Sequence, residues 1–270
     1  MNIALRRRLL VGLVLCGLLL GLTGLGMGTT GAGAAGLVTL NGAGATFPYP
    51  LYSRWFAEYN RAHPDVRINY QSIGSGGGIA QVQKGTVDFG ASDAPLSDAQ
   101  LKDMGRPVVL IPTVAGAVAM TYNLPGIGTG VRLTSENVVD IFMGQIAKWN
   151  DPKILANNPA MKLPDMPVTV VHRSDGSGTT FIFTSFLSEV SKAWSDKVGR
   201  STSVEWPTGI GGKGNEGVAG AVKQTPGAIG YVELAYVVQN QLTYAVLKNR
   251  DGTWVAPSLS STTAAAAGGA

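Results

Sequence analysis

The sequence predicts an α/β protein with largely parallel sheets, and three observations predict it. β-branched, strand-like stretches alternate with apolar residues at helical spacing along the chain. The joints between them are rich in glycine, present in 37 copies. With 270 residues, 45% hydrophobic and 14% charged, the chain has length for two lobes rather than one small core.

The first residues stand outside that fold. Arg6, Arg7 and Arg8 form a basic start, Leu9 to Met27 is an apolar run, and Ala32-Gly33-Ala34 gives a small-x-small cleavage pattern. Residues 1–34 therefore read as a secretory signal peptide cleaved after Ala34, in preference to an uncleaved anchor. Cleavage removes three arginines and no acid. It leaves 18 basic residues against 17 acidic ones and lowers the net charge from +4 to +1. So near-neutral a protein offers nucleic acid no electrostatic footing. The only cysteine, Cys16, leaves with the signal, so no disulfide or thiol chemistry is expected.

Leu37-Val38-Thr39-Leu40 opens the fold as a strand. Leu51, Trp55, Phe56, Tyr59 and Ala62 then recur at helical spacing, with Thr46 placed to cap that helix and Pro48 in its first turn. Val66, Ile68 and Tyr70 alternate with polar residues as a strand does. After the turn 74–78, Ile79, Ala80 and Val82 begin a short helix, and residues 87–92 form a strand ending at Asp93. The apolar run 108–122, broken by Pro112 and Gly116, reads as buried strands crossing between lobes. Helical spacing returns at 134–143, 181–194 and 215–224, and residues 228–231 read as a buried strand. The Ser, Thr, Ala and Gly residues at the end read as a disordered tail.

The strongest chemical signal is the loop Arg173-Ser174-Asp175-Gly176-Ser177-Gly178-Thr179. The strand-like run 168–171 leads in and an apolar helical segment leads out. A helix N-terminus offers unpaired N–H groups and a positive dipole end, and arginine adds a forked cation for oxyanions. Taken alone, the loop fits equally well a capped helix beside a surface Arg–Asp pair. Two further turns share its plan: Thr46-Phe47 and Ser75 each put a hydroxyl in a small-residue turn between strand and helix. In open α/β sheets such ends gather on one edge, where ligands bind. Asp93 ends its strand on that edge. An ionised carboxylate only accepts hydrogen bonds, so it suits an oxyanion that carries a proton: phosphate rather than sulfate. Sites built on a required hydrogen bond can reject the analogue lacking it by ~10⁴–10⁵.

These segments resemble the exported phosphate-binding protein of bacterial high-affinity ABC phosphate transporters. The resemblance is carried by Gly-Ala-Gly-Ala-Thr46-Phe47-Pro, Ile-Gly-Ser75-Gly-Gly-Gly, Val-Asp-Phe-Gly-Ala-Ser-Asp93 and the Arg173–Thr179 loop. Trp149-Asn150-Asp151-Pro152, Gly211–Asn215 and Pro226–Glu233 add to it, and it runs from about residue 39 to about 257. It implies a two-lobed, type II periplasmic-binding-protein fold with the ligand between the lobes. Residues 35–112 would then belong to the first lobe and 113–247 to the second, with 248–270 a disordered or truncated tail. It also implies that Ala45, Thr46 and Phe47 give N–H and hydroxyl donors, and that Ser75 adds a hydroxyl. Asp93 would accept the phosphate proton, and Arg173 would contact phosphate while held by Asp175. Ser177, Gly178 and Thr179 would supply a third helix end. The implied partners are inorganic phosphate and the permease subunits of an ABC phosphate transporter with its cytoplasmic ATPase, met by a periplasmic monomer. The sequence stops where the family's chain continues and recrosses to complete the first lobe. His172, where an arginine can stand, is a small departure.

Two rival readings remain. A hydrolase of phosphate esters could use Ser177, but the Gly-x-Ser-x-Gly elbow is missing and His172 should face away across its strand. No His/Cys/carboxylate cluster has metal spacing, so no metal, no cofactor and no catalytic residue is expected. A binding protein for another oxyanion such as sulfate is disfavoured by Asp93. Gly209-x-Gly211-x-x-Gly214 matches a dinucleotide pattern by chance, and no glycine loop has a P-loop ending.

Overall fold

The computed structural model describes residues 36–268, so the signal-peptide reading falls outside the described residues. In chain order the elements begin β1 (Val38–Gly44), α1 (Tyr49–Ala62), β2 (Val66–Ser72), α2 (Ser75–Lys84), β3 (Phe89–Ala91) and α3 (Asp98–Asp103). Next come β4 (Val118–Tyr122), β5 (Arg132–Leu133), α4 (Ser135–Phe142), α5 (Pro152–Leu155), β6 (Thr169–Arg173), α6 (Gly178–Val190) and α7 (Lys192–Lys197). The rest are β7 (Ile210–Gly212), α8 (Gly214–Gln224), β8 (Ala228–Glu233), α9 (Leu234–Asn240), β9 (Thr243–Tyr244), β10 (Val246–Lys248), β11 (Trp254–Val255) and α10 (Leu259–Gly268).

The first sheet is all parallel, in the order β2-β1-β3. The second has the order β7-β6-β8-β4-β9, with β6 parallel to β7 and β8. Here the largely parallel expectation needs a correction, because β4 runs antiparallel to both β8 and β9. A small third sheet joins β11, β10 and β5. Along β2 half-buried and exposed residues alternate, as a strand with one solvated face requires. Every residue of β8 is buried, as befits a strand paired on both sides with both faces covered.

Both clusters of buried apolar side chains draw on residues from 117 onward. Trp149 and Trp194 lie fully buried there, and Trp149 Nε1 donates to the Gly227 carbonyl at 2.9 Å. The first sheet is covered instead by a ring cluster of Tyr52, Phe56, Tyr70 and Phe89 with centroids about 5–6 Å apart.

Four expectations change. Helix α2 starts at Ser75, four residues earlier than the apolar spacing suggests. The glycines are helical because α2 lies on β1, where a Cβ at Gly78 would sit 2.5 Å from the Gly44 Cα. Thr46 does not cap α1; Pro48 occupies that position without a side-chain bond, and the threonine hydroxyl is engaged elsewhere. In the run 108–122 only residues 118–122 form a strand. Val109 and Ile111 are 82% and 74% exposed, because no described strand pairs with that segment. The end of the chain is helical over Leu259–Gly268 rather than disordered, since its run of four alanines has the highest helix propensity of any residue type. Among the described residues no helix is long and apolar enough to cross a membrane.

Candidate functional site

The turns that follow β1, β2 and β6 meet through hydrogen bonds. Gly76 N–H donates to the Gly176 carbonyl at 2.9 Å, and Gly178 N–H to Ser75 Oγ at 3.0 Å. Gly178 must be glycine here: a Cβ would lie 2.5 Å from Asp93 Oδ2 and 2.6 Å from Ser75 Oγ. Thr46, Ser75, Arg173, Ser177 and Thr179 are all buried, and Asp93 is partly so. The residues read from sequence as one site are thus brought together, with Phe47 buried beside them.

Arg173 ends β6 with its side chain 1% exposed. Its Nε donates to Asp175 Oδ1 at 2.8 Å and its Nη2 to Asp175 Oδ2 at 2.5 Å, a forked pair that fixes the guanidinium. Burial pushes the Asp175 carboxyl up. The hydrogen bonds and charge of Arg173, helped by the Gly214 N–H at 3.0 Å, outweigh that and hold it below the usual carboxylate range. Tyr231 supports the arginine from behind. Its hydroxyl accepts the Arg173 N–H at 3.1 Å and bonds Thr180 Oγ1 at 2.6 Å, and burial pushes its pKa up to about 12.

The hydroxyl groups decide the polarity of the site. A hydroxyl has one proton to give and two lone pairs to fill. Thr46 Oγ1 accepts from Asn215 N at 3.1 Å and Asn215 Nδ2 at 2.7 Å. Thr179 Oγ1 accepts from Asn215 Nδ2 at 3.2 Å and Arg173 Nη1 at 3.4 Å. Ser75 Oγ accepts from Gly178 N at 3.0 Å and Asp93 N at 3.3 Å. All three oxygens have their acceptor capacity filled, so each is left with a proton to donate. The N–H groups of Thr46, Phe47 and Thr179 have no partner among the described residues.

Three expected residues have their backbone N–H groups otherwise engaged. The Ala45 N–H is bonded to the Ala91 carbonyl at 2.8 Å, so Ala45 shapes the turn and is corrected as a donor. Ser177 caps α6, its Oγ accepting from Thr180 N at 3.0 Å and its N–H donating to the Thr202 carbonyl. The Gly178 N–H serves Ser75.

Against these donors stands Asp93. Burial pushes its carboxyl up to about 7, opposed by the charge of Arg173. Glu233, at the start of α9, is likewise pushed up to about 7 by burial, against bonds from the N–H groups of Ala235 and Leu234, with Asp93 adding to the rise. A cavity of about 900 Å³, lined among others by Phe47, Asp93, Val108 and Ile111, adjoins the site.

Sequence reasoning missed Asn215, Glu233, Tyr231 and Tyr236, whose hydroxyl donates to the Thr46 carbonyl at 2.6 Å. Asn215 had a signal available. Residues 210–214 repeat the strand–glycine–helix plan of the other turns, so α8 brings a further helix N-terminus to the site.

Comparison with known proteins follows the same line. Residues 29–268 match the family model described as a PBP superfamily domain. The phosphate-binding protein PstS of Xylella fastidiosa (strain 9a5c) is 54% identical over 230 residues, covering 85% of this chain and 62% of that protein. PstS of Haemophilus influenzae is 49% identical, covering 84% of this chain and 68% of that protein. A periplasmic phosphate-binding protein solved with bound phosphate is similar in fold, with TM-score 0.66 and 23% identity over 84% of this chain and 67% of that one. The chain thus spans about 62% of the length of the first of these relatives.

Proposed function

This chain belongs to the PstS phosphate-binding family of the PBP superfamily, with its two-lobed type II α/β fold, and from there we propose that it binds inorganic phosphate. The observation that carries the reading is the polarity of the site. The hydroxyls of Thr46, Ser75 and Thr179 have only protons to offer, as have the N–H groups of Thr46, Phe47 and Thr179 and the free corners of Arg173. Asp93 is the acceptor among them. Such a site takes a tetrahedral oxyanion that brings one proton of its own. Arg173 and Asp175 offset one another, so dipoles and neutral donors carry most of the load, as helix N-termini allow.

On this reading the first lobe comprises residues 35–112, with the β2-β1-β3 sheet, and the second 113–247, with the five-stranded sheet. The protein works in the periplasm after export, hands phosphate to the permease subunits of an ABC importer driven by a cytoplasmic ATPase, acts as a monomer and catalyses no reaction. Equilibrium dialysis against labelled phosphate tests it. Arsenate is expected to displace the label, sulfate at pH 8 to displace it much less, and a chromogenic phosphate ester to remain intact. Displacement by sulfate at arsenate's level, or turnover of the ester, would overturn the reading.

A further inference from the structure

We infer that Asn215 fixes the direction of the Thr46 and Thr179 hydroxyls and so acts as a positioning residue for the oxyanion; this rests on the phosphate reading above. Asn215 is fully buried at the start of α8. Its Oδ1 accepts the Glu233 N–H at 2.9 Å, which settles the orientation of the amide and turns Nδ2 toward the hydroxyls. One amide nitrogen then reaches both Thr46 Oγ1 and Thr179 Oγ1. Its own backbone N–H fills the second lone pair of Thr46.

A threonine hydroxyl left to itself rotates and can accept as readily as it donates. Filled on both lone pairs, it can only donate. The site is therefore set for an acceptor before the anion arrives, and no rotor has to turn over on binding. Asn215 does this for a residue beside the first sheet and one beside the second at once, through a side chain whose oxygen is anchored to β8.

The test compares two replacements by calorimetric titration with inorganic phosphate. In Asn215→Asp the shape is kept but the carboxylate accepts where the amide donates, so both hydroxyls turn toward it and away from the anion. Phosphate affinity is expected to fall by about 100-fold or more, given roughly tenfold or more for each hydrogen bond to a charged ligand. In Asn215→Leu the hydroxyls keep their other partners, and a loss of about tenfold is expected. A role in packing alone gives the reverse order, because aspartate is the closer fit, and that order or equal losses would overturn the inference. Charge repulsion by the new carboxylate is separated in a Thr46→Val, Thr179→Val background. There the extra penalty of Asp over Leu is expected to vanish, and its survival undiminished would overturn the inference. If Asn215→Asp does not fold by circular dichroism, the cycle of Asn215→Leu with Thr46→Val decides. Losses in phosphate affinity that fail to add support the assignment. Coupling confined to the melting temperature overturns it. A wild-type chain that folds and takes up no phosphate would remove the phosphate reading itself.

Discussion

The pH dependence of sulfate binding follows from Asp93. Sulfate brings no proton, so it is accepted only when Asp93 carries one. With the carboxyl pushed up to about 7, about a tenth of molecules hold neutral Asp93 at pH 8 and about nine-tenths at pH 6. Sulfate affinity should therefore rise about tenfold from pH 8 to pH 6. Phosphate, which brings its own proton, should change less. The raised pKa also lowers the discrimination that a fully ionised carboxylate would give, leaving about tenfold against sulfate at pH 8 and about 100-fold at pH 9. The charged and titratable groups around Asp93 are Arg173, Tyr70 and Glu233, and Glu233 titrates in the same window. The titration is therefore run in parallel on Glu233→Gln, which should keep the slope. Asp93→Asn should bind sulfate about tenfold better than wild type at pH 8, with no slope between pH 6 and 8. Wild-type sulfate affinity that is flat across this range, or a slope lost in Glu233→Gln and kept in Asp93→Asn, would refute the assignment of Asp93.

Other expectations are simpler. In the ligand-free protein the folded-state pKa of Asp93 lies above its ordinary 3.8, so its favourable contribution is full below 3.8 and is lost as pH rises through about 7. Asp93→Asn should accordingly be more stable than wild type at pH 8, by roughly 1–4 kcal/mol in denaturant titration. Arg173→Ala strands Asp175 in a half-buried position and should cost roughly 3–5 kcal/mol of stability and most of the phosphate affinity; unchanged affinity would remove Arg173 from the site. Gly178→Ala drives a methyl into Asp93 and Ser75 and should abolish phosphate binding in calorimetry, with the melting temperature lowered. Trp149→Ala, in the apolar core, should cost roughly 3–5 kcal/mol while leaving the phosphate affinity of the folded fraction unchanged.

The convergence of Thr46, Ser75, Asp93 and Arg173 was legible because each stands in a small-residue turn at a strand end, and topology gathers such ends. What those hydroxyls do there was less legible. Thr46 stands where a cap for α1 is expected, yet its oxygen is taken by Asn215, some 170 positions away in sequence, and no local pattern reports such a partner. Ala45 sits in the same motif as its neighbours, but β3 claims its N–H. Periodicity likewise marks Val109 and Ile111 as apolar without saying whether a strand lies beside them, which is why a run expected to be buried is exposed. The C-terminal run is compositionally simple, and alanine's helix propensity outweighs what its low complexity suggests.

On the proposed reading, a ring of fixed donors holds one phosphate whose proton Asp93 accepts. Calorimetric titration of wild type and Asp93→Asn with phosphate and with sulfate at pH 8 tests it most directly. Wild type is expected to bind phosphate at a single site at least about tenfold more tightly than sulfate, and that gap is expected to close in Asp93→Asn. Equal affinities in wild type, or a gap that survives the substitution, would contradict it.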